Sequence, residues 1–148
     1  LVQLTLGAPQ HIYNGGLLLC RLRYFDPARQ RPGLPQDVAA LVETLEAERT
    51  VVTLVNLSPL AERAVILQAG GFGEHRFTSV AYDERTSDYP GSQKEYSAPP
   101  LTRATDIVQV DAPWFQVTLP PATCIRLELG MARFVNQPSY ALPWDRTQ

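Results

Sequence analysis

Apolar and polar residues alternate along most of this chain, and the period changes in one place. The stretch Thr50 to Phe77, TVVTLVNLSPLAERAVILQAGGFGEHRF, shows the alternation most clearly. Val51, Thr53, Val55 and Leu57 fall on one face at period two, and Val52, Leu54 and Asn56 fall on the other. Val65, Ile66 and Leu67 form a second β-branched and apolar run. Asn56-Leu57-Ser58-Pro59 punctuates one end and Gly70-Gly71-Phe72-Gly73 the other. The pattern predicts two strands joined as a hairpin at the centre of a sheet, followed by a glycine corner and another strand.

Elsewhere the period-two signal recurs. Val2, Leu4 and Leu6 predict a short, half-exposed strand closed by Gly7-Ala8-Pro9. Asn14-Gly15-Gly16 is a turn signal, and Leu17 to Phe25 then reads as a strand that begins buried and ends with one wet face. Phe77 to Tyr82 and Ile107 to Val110 are further strands. Phe115, Val117 and Leu119 alternate with Trp114, Gln116 and Thr118. Ile125, Leu127 and Leu129 alternate with Cys124, Arg126 and Glu128. The exception is Val38, Leu41, Val42 and Leu45, spaced i, i+3, i+4, i+7, which predicts one helix of about three turns. Pro35 near its first turn and Asp37 near its N-terminal dipole suit that reading. Asp83 to Pro100 is a long polar loop. Together these elements predict an all-β fold, an antiparallel β-sandwich of about eight strands with one short α-helix. A single closed barrel is the less favoured architecture.

The 148 residues suit a single domain spanning 1–148. The first residue is Leu, so the chain reads as a processed product or as a fragment or C-terminal part of a longer protein. LVQLTLGAPQ has neither the basic region nor the cleavage pattern of a signal peptide. A formal charge of −2 offers no basic excess for phosphates, which argues against nucleic acid as a partner. No apolar run approaches the ~20 residues of a membrane span. Cys20 and Cys124 each lie in an apolar stretch and read as buried free thiols that pack as small hydrophobes; a disulfide between them, which needs Cα atoms within about 7 Å, stays open.

Candidate chemistry is sparse. Gly70 to His75 has the composition of a phosphate-cradling loop, but HRFTSVAY after it reads as a strand, and a phosphate loop needs a helix N-terminus there. The corner reads as glycines permitting positive φ, with Glu74 and His75 as candidates to meet a ligand. On a strand these two neighbours would point to opposite faces and could not act as an acid–base pair. His11 is isolated, and no G-x-S-x-G elbow exists. Asp83, Glu84 and Asp88 share a loop but lack the calcium-loop rhythm. Nothing calls for a metal or a cofactor. Asn56-Leu57-Ser58 matches a glycosylation acceptor, yet the turn and Pro59 favour a structural asparagine that caps the hairpin. Exposed aromatics can stack on sugar rings. The candidates are Trp114, Tyr89, Tyr96 and Trp144, with Tyr13 and Tyr140 beside them. Trp144 also reads as an anchor that ties the C-terminus down.

VVTLVNLSP, the glycine-rich corner, the long polar loop and VTLPPATCIRLEL together resemble the C-terminal accessory β-sandwich of multidomain glycoside hydrolases. The resemblance covers Thr50 to Leu129. It implies a non-catalytic domain that packs on or stabilises a catalytic or neighbouring protein domain, with the catalytic carboxylates in a separate barrel. No residue here matches a catalytic motif, so none is carried over, and the chain by itself is not expected to be an enzyme. The N-terminal part departs from the simplest version of the pattern. Two other functions suit the residues: a carbohydrate-binding module whose partner is a polysaccharide, and a structural domain that self-assembles.

Overall fold

A computed structural model of the chain describes residues 2–8, 16–85 and 106–145. They form two antiparallel sheets packed as an all-β sandwich. The strands are β1 (Leu22–Asp26), β2 (Arg31–Pro32), β3 (Val38–Leu45), β4 (Arg49–Asn56), β5 (Arg63–Ala69), β6 (Arg76–Arg85), β7 (Asp106–Ala112), β8 (Trp114–Leu119) and β9 (Cys124–Ala132). One sheet has the order β2-β1-β5-β8 and the other β3-β4-β9-β6-β7. The period-two patterns explain the core directly. Val52 and Leu54 of β4, Leu67 of β5 and Leu127 and Leu129 of β9 meet Leu22, Tyr24 and Phe77 between the sheets. Phe115 of β8 lies edge-on to Phe77, with ring centroids 4.9 Å apart. Such a pair adds about 1 kcal/mol to the area it buries.

Four expectations are corrected. The helix predicted over 38–45 is strand β3. Val38, Ala40 and Val42 face the core and Leu41 points outward, while Leu45, beyond the bulge, pairs with the buried Thr50 and returns to the face of Val42 beside Gly7. A bulge between Val42 and Thr44 shifts the register, so the inward set only mimics a helical spacing. Pairing with β4 along its whole length outweighs the helix preference of Ala, Leu and Glu. The strand predicted at Val2 to Leu6 is instead a short helix, α1 (Val2–Leu6). Its last carbonyls are taken from outside: Tyr24 Oη donates to Thr5 O at 2.7 Å and the Arg21 amide donates to Leu6 O at 3.0 Å. The first part of the strand predicted from Leu17 is a 3-10 turn over Gly16–Leu19, and β1 begins only at Leu22. Last, Asp83 to Arg85, predicted to open the polar loop, belong to β6 and pair with Cys124 to Arg126 of β9, and the rest of that predicted loop lies outside the described residues.

The predicted central hairpin also resolves differently. β4 and β5 lie in different sheets. The segment between them is an arch across the sandwich, and Asn56 at its root is 1% exposed. Its Nδ2 donates to Ala61 O (2.8 Å), Leu119 O (3.1 Å) and Pro120 O (2.9 Å). Its Oδ1 accepts the Ser58 amide at 3.0 Å. Asn56 is thus structural as expected, but it staples two inter-sheet arches together instead of capping a hairpin.

Candidate functional site

The glycine corner between β5 and β6 is where polar groups gather away from solvent. Gly70 has φ 85° and Gly73 φ 71°, so the chain reverses in a backbone region that favours glycine. At Gly71 a Cβ would fall 2.0 Å from the Leu17 carbonyl oxygen, so only glycine lets the 3-10 turn lie against the corner. Gln68, 1% exposed, donates from Nε2 to the carbonyls of Gly70 and Gly71 at 3.3 Å each. Arg23 reaches across from β1 and donates to Gly71 O at 2.9 Å.

Glu74 and His75 are buried at this corner, 2% and 3% exposed. They lie ahead of β6, which starts at Arg76, so the strand rule that would send them to opposite faces does not apply. Instead His75 Nε2 and Glu74 Oε1 approach to 3.9 Å. That is too long for a hydrogen bond and close enough for strong electrostatic coupling. Glu74 Oε2 accepts the Phe72 amide at 2.8 Å, while Oε1 has no hydrogen-bond partner among the described residues. His75 Nδ1 accepts the Phe134 amide at 3.1 Å. A backbone amide can only donate, so Nδ1 is bare and the proton of the neutral ring sits on Nε2. Burial pushes the imidazole below the usual histidine value; the Glu74 carboxylate pulls it back up, and Arg21 and Arg133 add to the downward push. Cys20, buried beside the corner, is pushed up by burial and then by the Glu74 charge, which makes it an unreactive thiol.

After β9 the chain returns over this corner. The Phe134 ring stands edge-on to His75 at 4.6 Å, under the guanidinium of Arg133. Phe134 itself has φ 54°, a left-handed conformation that a bulky residue adopts only when its surroundings impose it. Asn136 Nδ2 donates to Gly73 O (3.2 Å) and His75 O (2.9 Å), and its Oδ1 accepts from Arg76 at 3.1 Å. The Ser139 amide donates to Phe72 O at 2.9 Å, and Tyr140 meets Phe72 at 5.1 Å. Trp144 then lies edge-on to Phe25 of β1 at 5.9 Å. Residues 134–145 therefore form a strap over the outer face of the four-stranded sheet, where Phe25 and Ile66 are nearly as buried as core residues.

The sequence-predicted candidates separate accordingly. Glu74 and His75 come together, but they are sealed by the strap. Trp114 is half-buried on the outer face of β8, paired in register with Gln68. Trp144 is a half-buried anchor for the strap. Tyr140 is 88% exposed. Tyr13, Tyr89, Tyr96, His11 and Asp88 lie outside the described residues. Among the described residues no group of His, Cys, Asp and Glu is arranged to hold a metal ion, and no helix is long and apolar enough to cross a membrane. Arg23, Gln68, Phe134 and Asn136 went unnoticed in the sequence. Only the buried Gln68 position, polar within the apolar run VILQA, carried a local signal.

The buried imidazole gives a stability prediction. Its folded value lies below the ordinary 6.5, so the unfolded chain binds the proton more readily. The contribution is complete above about pH 6.5 and is lost as pH falls through the folded value, with a slope of at most about 1.4 kcal/mol per pH unit. Urea unfolding from pH 8 to pH 5 should show a loss for the wild type that is reduced in His75→Asn. Parallel pH profiles for the two proteins would refute this.

No protein-family model, no curated protein and no solved structure matches the chain.

Proposed function

We propose that this chain is a non-catalytic accessory β-sandwich of a larger, carbohydrate-active protein, and that it packs on or stabilises a neighbouring domain. The observation that carries this reading is the apolar side of the sandwich at β6, β7 and β8. There Val108 and Tyr82 are 50% and 36% exposed. They border a groove of about 440 Å³ that runs between the sheets past Val110, Phe115 and Ile125. Exposed apolar surface around such a groove suits a protein neighbour better than a sugar, whose hydroxyls need polar partners. The carbohydrate-active parent is supported by the resemblance of VVTLVNLSP and VTLPPATCIRLEL to accessory sandwiches of glycoside hydrolases. The burial of Glu74 and His75 supports a non-catalytic role, because a general acid or base must reach the proton it transfers.

A carbohydrate-binding module is the second reading, favoured by the exposed Tyr140 with Trp114 on the same outer sheet face. Two measurements on the purified chain separate them. The first is Trp fluorescence during titration with soluble xylan, starch and β-glucan, with pull-down on cellulose and chitin. The second is binding of the apolar dye ANS to wild type and to Val108→Asp. The accessory reading predicts no glycan binding and dye fluorescence that falls at least twofold in Val108→Asp, with unchanged far-UV circular dichroism. Saturable glycan binding that vanishes in Trp114→Ala would replace it with the module reading. A wild-type dimer in sedimentation that Val108→Asp splits into monomers would replace it with self-assembly.

A further inference from the structure

We infer that His75 is an acid-operated latch for the strap: a proton arriving at Nδ1 unfastens Phe134 from the glycine corner and begins to bare the outer face of the four-stranded sheet. The neutral ring already carries its proton on Nε2, so a second proton can bind only at Nδ1. There it confronts the Phe134 N–H, which approaches to 3.1 Å between heavy atoms. Two donors cannot share that contact. The Phe134 backbone, held at φ 54°, is free to relax once its amide is released. The strap's next attachment, Asn136 to His75 O and Gly73 O, is built on the same two turns of chain.

The charges around the ring decide which state the proton prefers. Glu74 faces Nε2 from the corner itself, Arg21 faces the ring from the turn ahead of β1, and Arg133 faces it from the head of the strap. With the strap closed, burial and the two guanidinium groups oppose an imidazolium, and Glu74 alone favours it. With the strap open, water reaches the ring, Arg133 leaves with its segment and Glu74 stays as a partner. The open state therefore holds the proton more tightly, and by linkage acid favours opening. What opening uncovers is an apolar surface: Phe25 and Ile66, 1% and 6% exposed beneath the strap.

Amide hydrogen exchange on the purified chain from pH 8 to pH 5, corrected for intrinsic rates, tests the latch. Protection of the Phe134 amide should fall, by up to about tenfold per pH unit, as pH drops from the open ring's titration point to the closed ring's, as one-proton linkage requires. Asn136 should follow, while the core amides of β4 and β9 remain far better protected and change only as much as global stability does. His75→Asn places Oδ1 where Nδ1 was, so it can accept the same N–H without titrating. In that variant the Phe134 protection should not depend on pH. A flat wild-type profile, or the same pH dependence in His75→Asn, overturns the proposal. If His75→Asn does not fold, nuclear magnetic resonance of the wild type decides. The His75 ring nitrogens and the Phe134 amide must shift with one shared midpoint, and two different midpoints overturn it.

Discussion

Replacing Asn56 with alanine is expected to destabilise the protein by about 3 kcal/mol. The side chain is 1% exposed and joins two arches that are distant in sequence. Its two amide hydrogens serve the carbonyls of Ala61, Leu119 and Pro120, and its oxygen serves the Ser58 amide. Alanine leaves these groups unpaired. The carbonyls of Ala61 and Pro120 lie in partly buried surroundings and recover some water, whereas Leu119 O is fully enclosed. Each buried group left without a partner costs about 1–3 kcal/mol; only Leu119 O and the Ser58 amide are fully buried, and with the other two carbonyls rehydrated the total stays at about 3 kcal/mol. Urea unfolding should show a lower midpoint at unchanged slope. Asn56→Asp is the sharper probe, because it keeps the shape and replaces two donors with acceptors. At pH 7 it should be at least as unstable as the alanine variant. It should regain stability in acid, when the protonated carboxyl can donate one hydrogen bond. Wild-type stability of Asn56→Asp at pH 7 would show that the amide hydrogens do not hold these arches.

Gly70→Ala is expected to cost about 2–4 kcal/mol, from two separable sources. The position has φ 85°, where any side chain is strained. The new Cβ would also fall on the Glu74 carboxyl group, which is 2% exposed and would have to shift within the corner. A double-mutant cycle with Glu74→Ala divides the two. If the carboxylate contact matters, the cost of Gly70→Ala should shrink by at least about 1 kcal/mol once Glu74 is truncated, and the backbone strain should remain. A change within about 0.5 kcal/mol in the single variant would show that the corner is not as tightly filled as the geometry requires.

Both predictions concern residues visible in the sequence for local reasons and explained only by distant partners. Asn56 stood out because Asn-Leu-Ser-Pro is turn chemistry. Its partners at Leu119 and Pro120 are more than sixty residues away. The glycine run stood out as a corner, but nothing in QAGGFGEHRF announces that Phe134 and Asn136 close over it. Glu74 and His75 were noticed as chemistry-bearing neighbours. Whether they point together or apart depended on whether the strand began before or after them. A boundary shift of one or two residues inverts that answer, and boundaries are the least determined feature of a local pattern. Trp144 was legible as an anchor because an isolated tryptophan in an otherwise irregular tail has little else to do than bury its ring. Its actual seat on Phe25 required knowing that Phe25 faces outward.

By itself the sequence determined the strands with strict alternation, and hence the sandwich. In β8 and β9 the inward set, Phe115, Val117, Leu119, Ile125, Leu127 and Leu129, is written at period two, and one buried face is the only way to remove it from water. Tertiary structure decided the rest. It turned the helical spacing of Val38 to Leu45 into a bulged strand, because β4 needed a partner along its edge. It sent β4 and β5 to different sheets, because pairing β4 with β3 and β9 buries Val52 and Leu54 opposite β1 and β5. It sealed His75 beneath the strap, where the Phe134 amide, the Phe134 ring and Asn136 all attach to it from about sixty residues away. Local periodicity reports which face of a segment avoids water, and only the assembled sheets specify what that face meets.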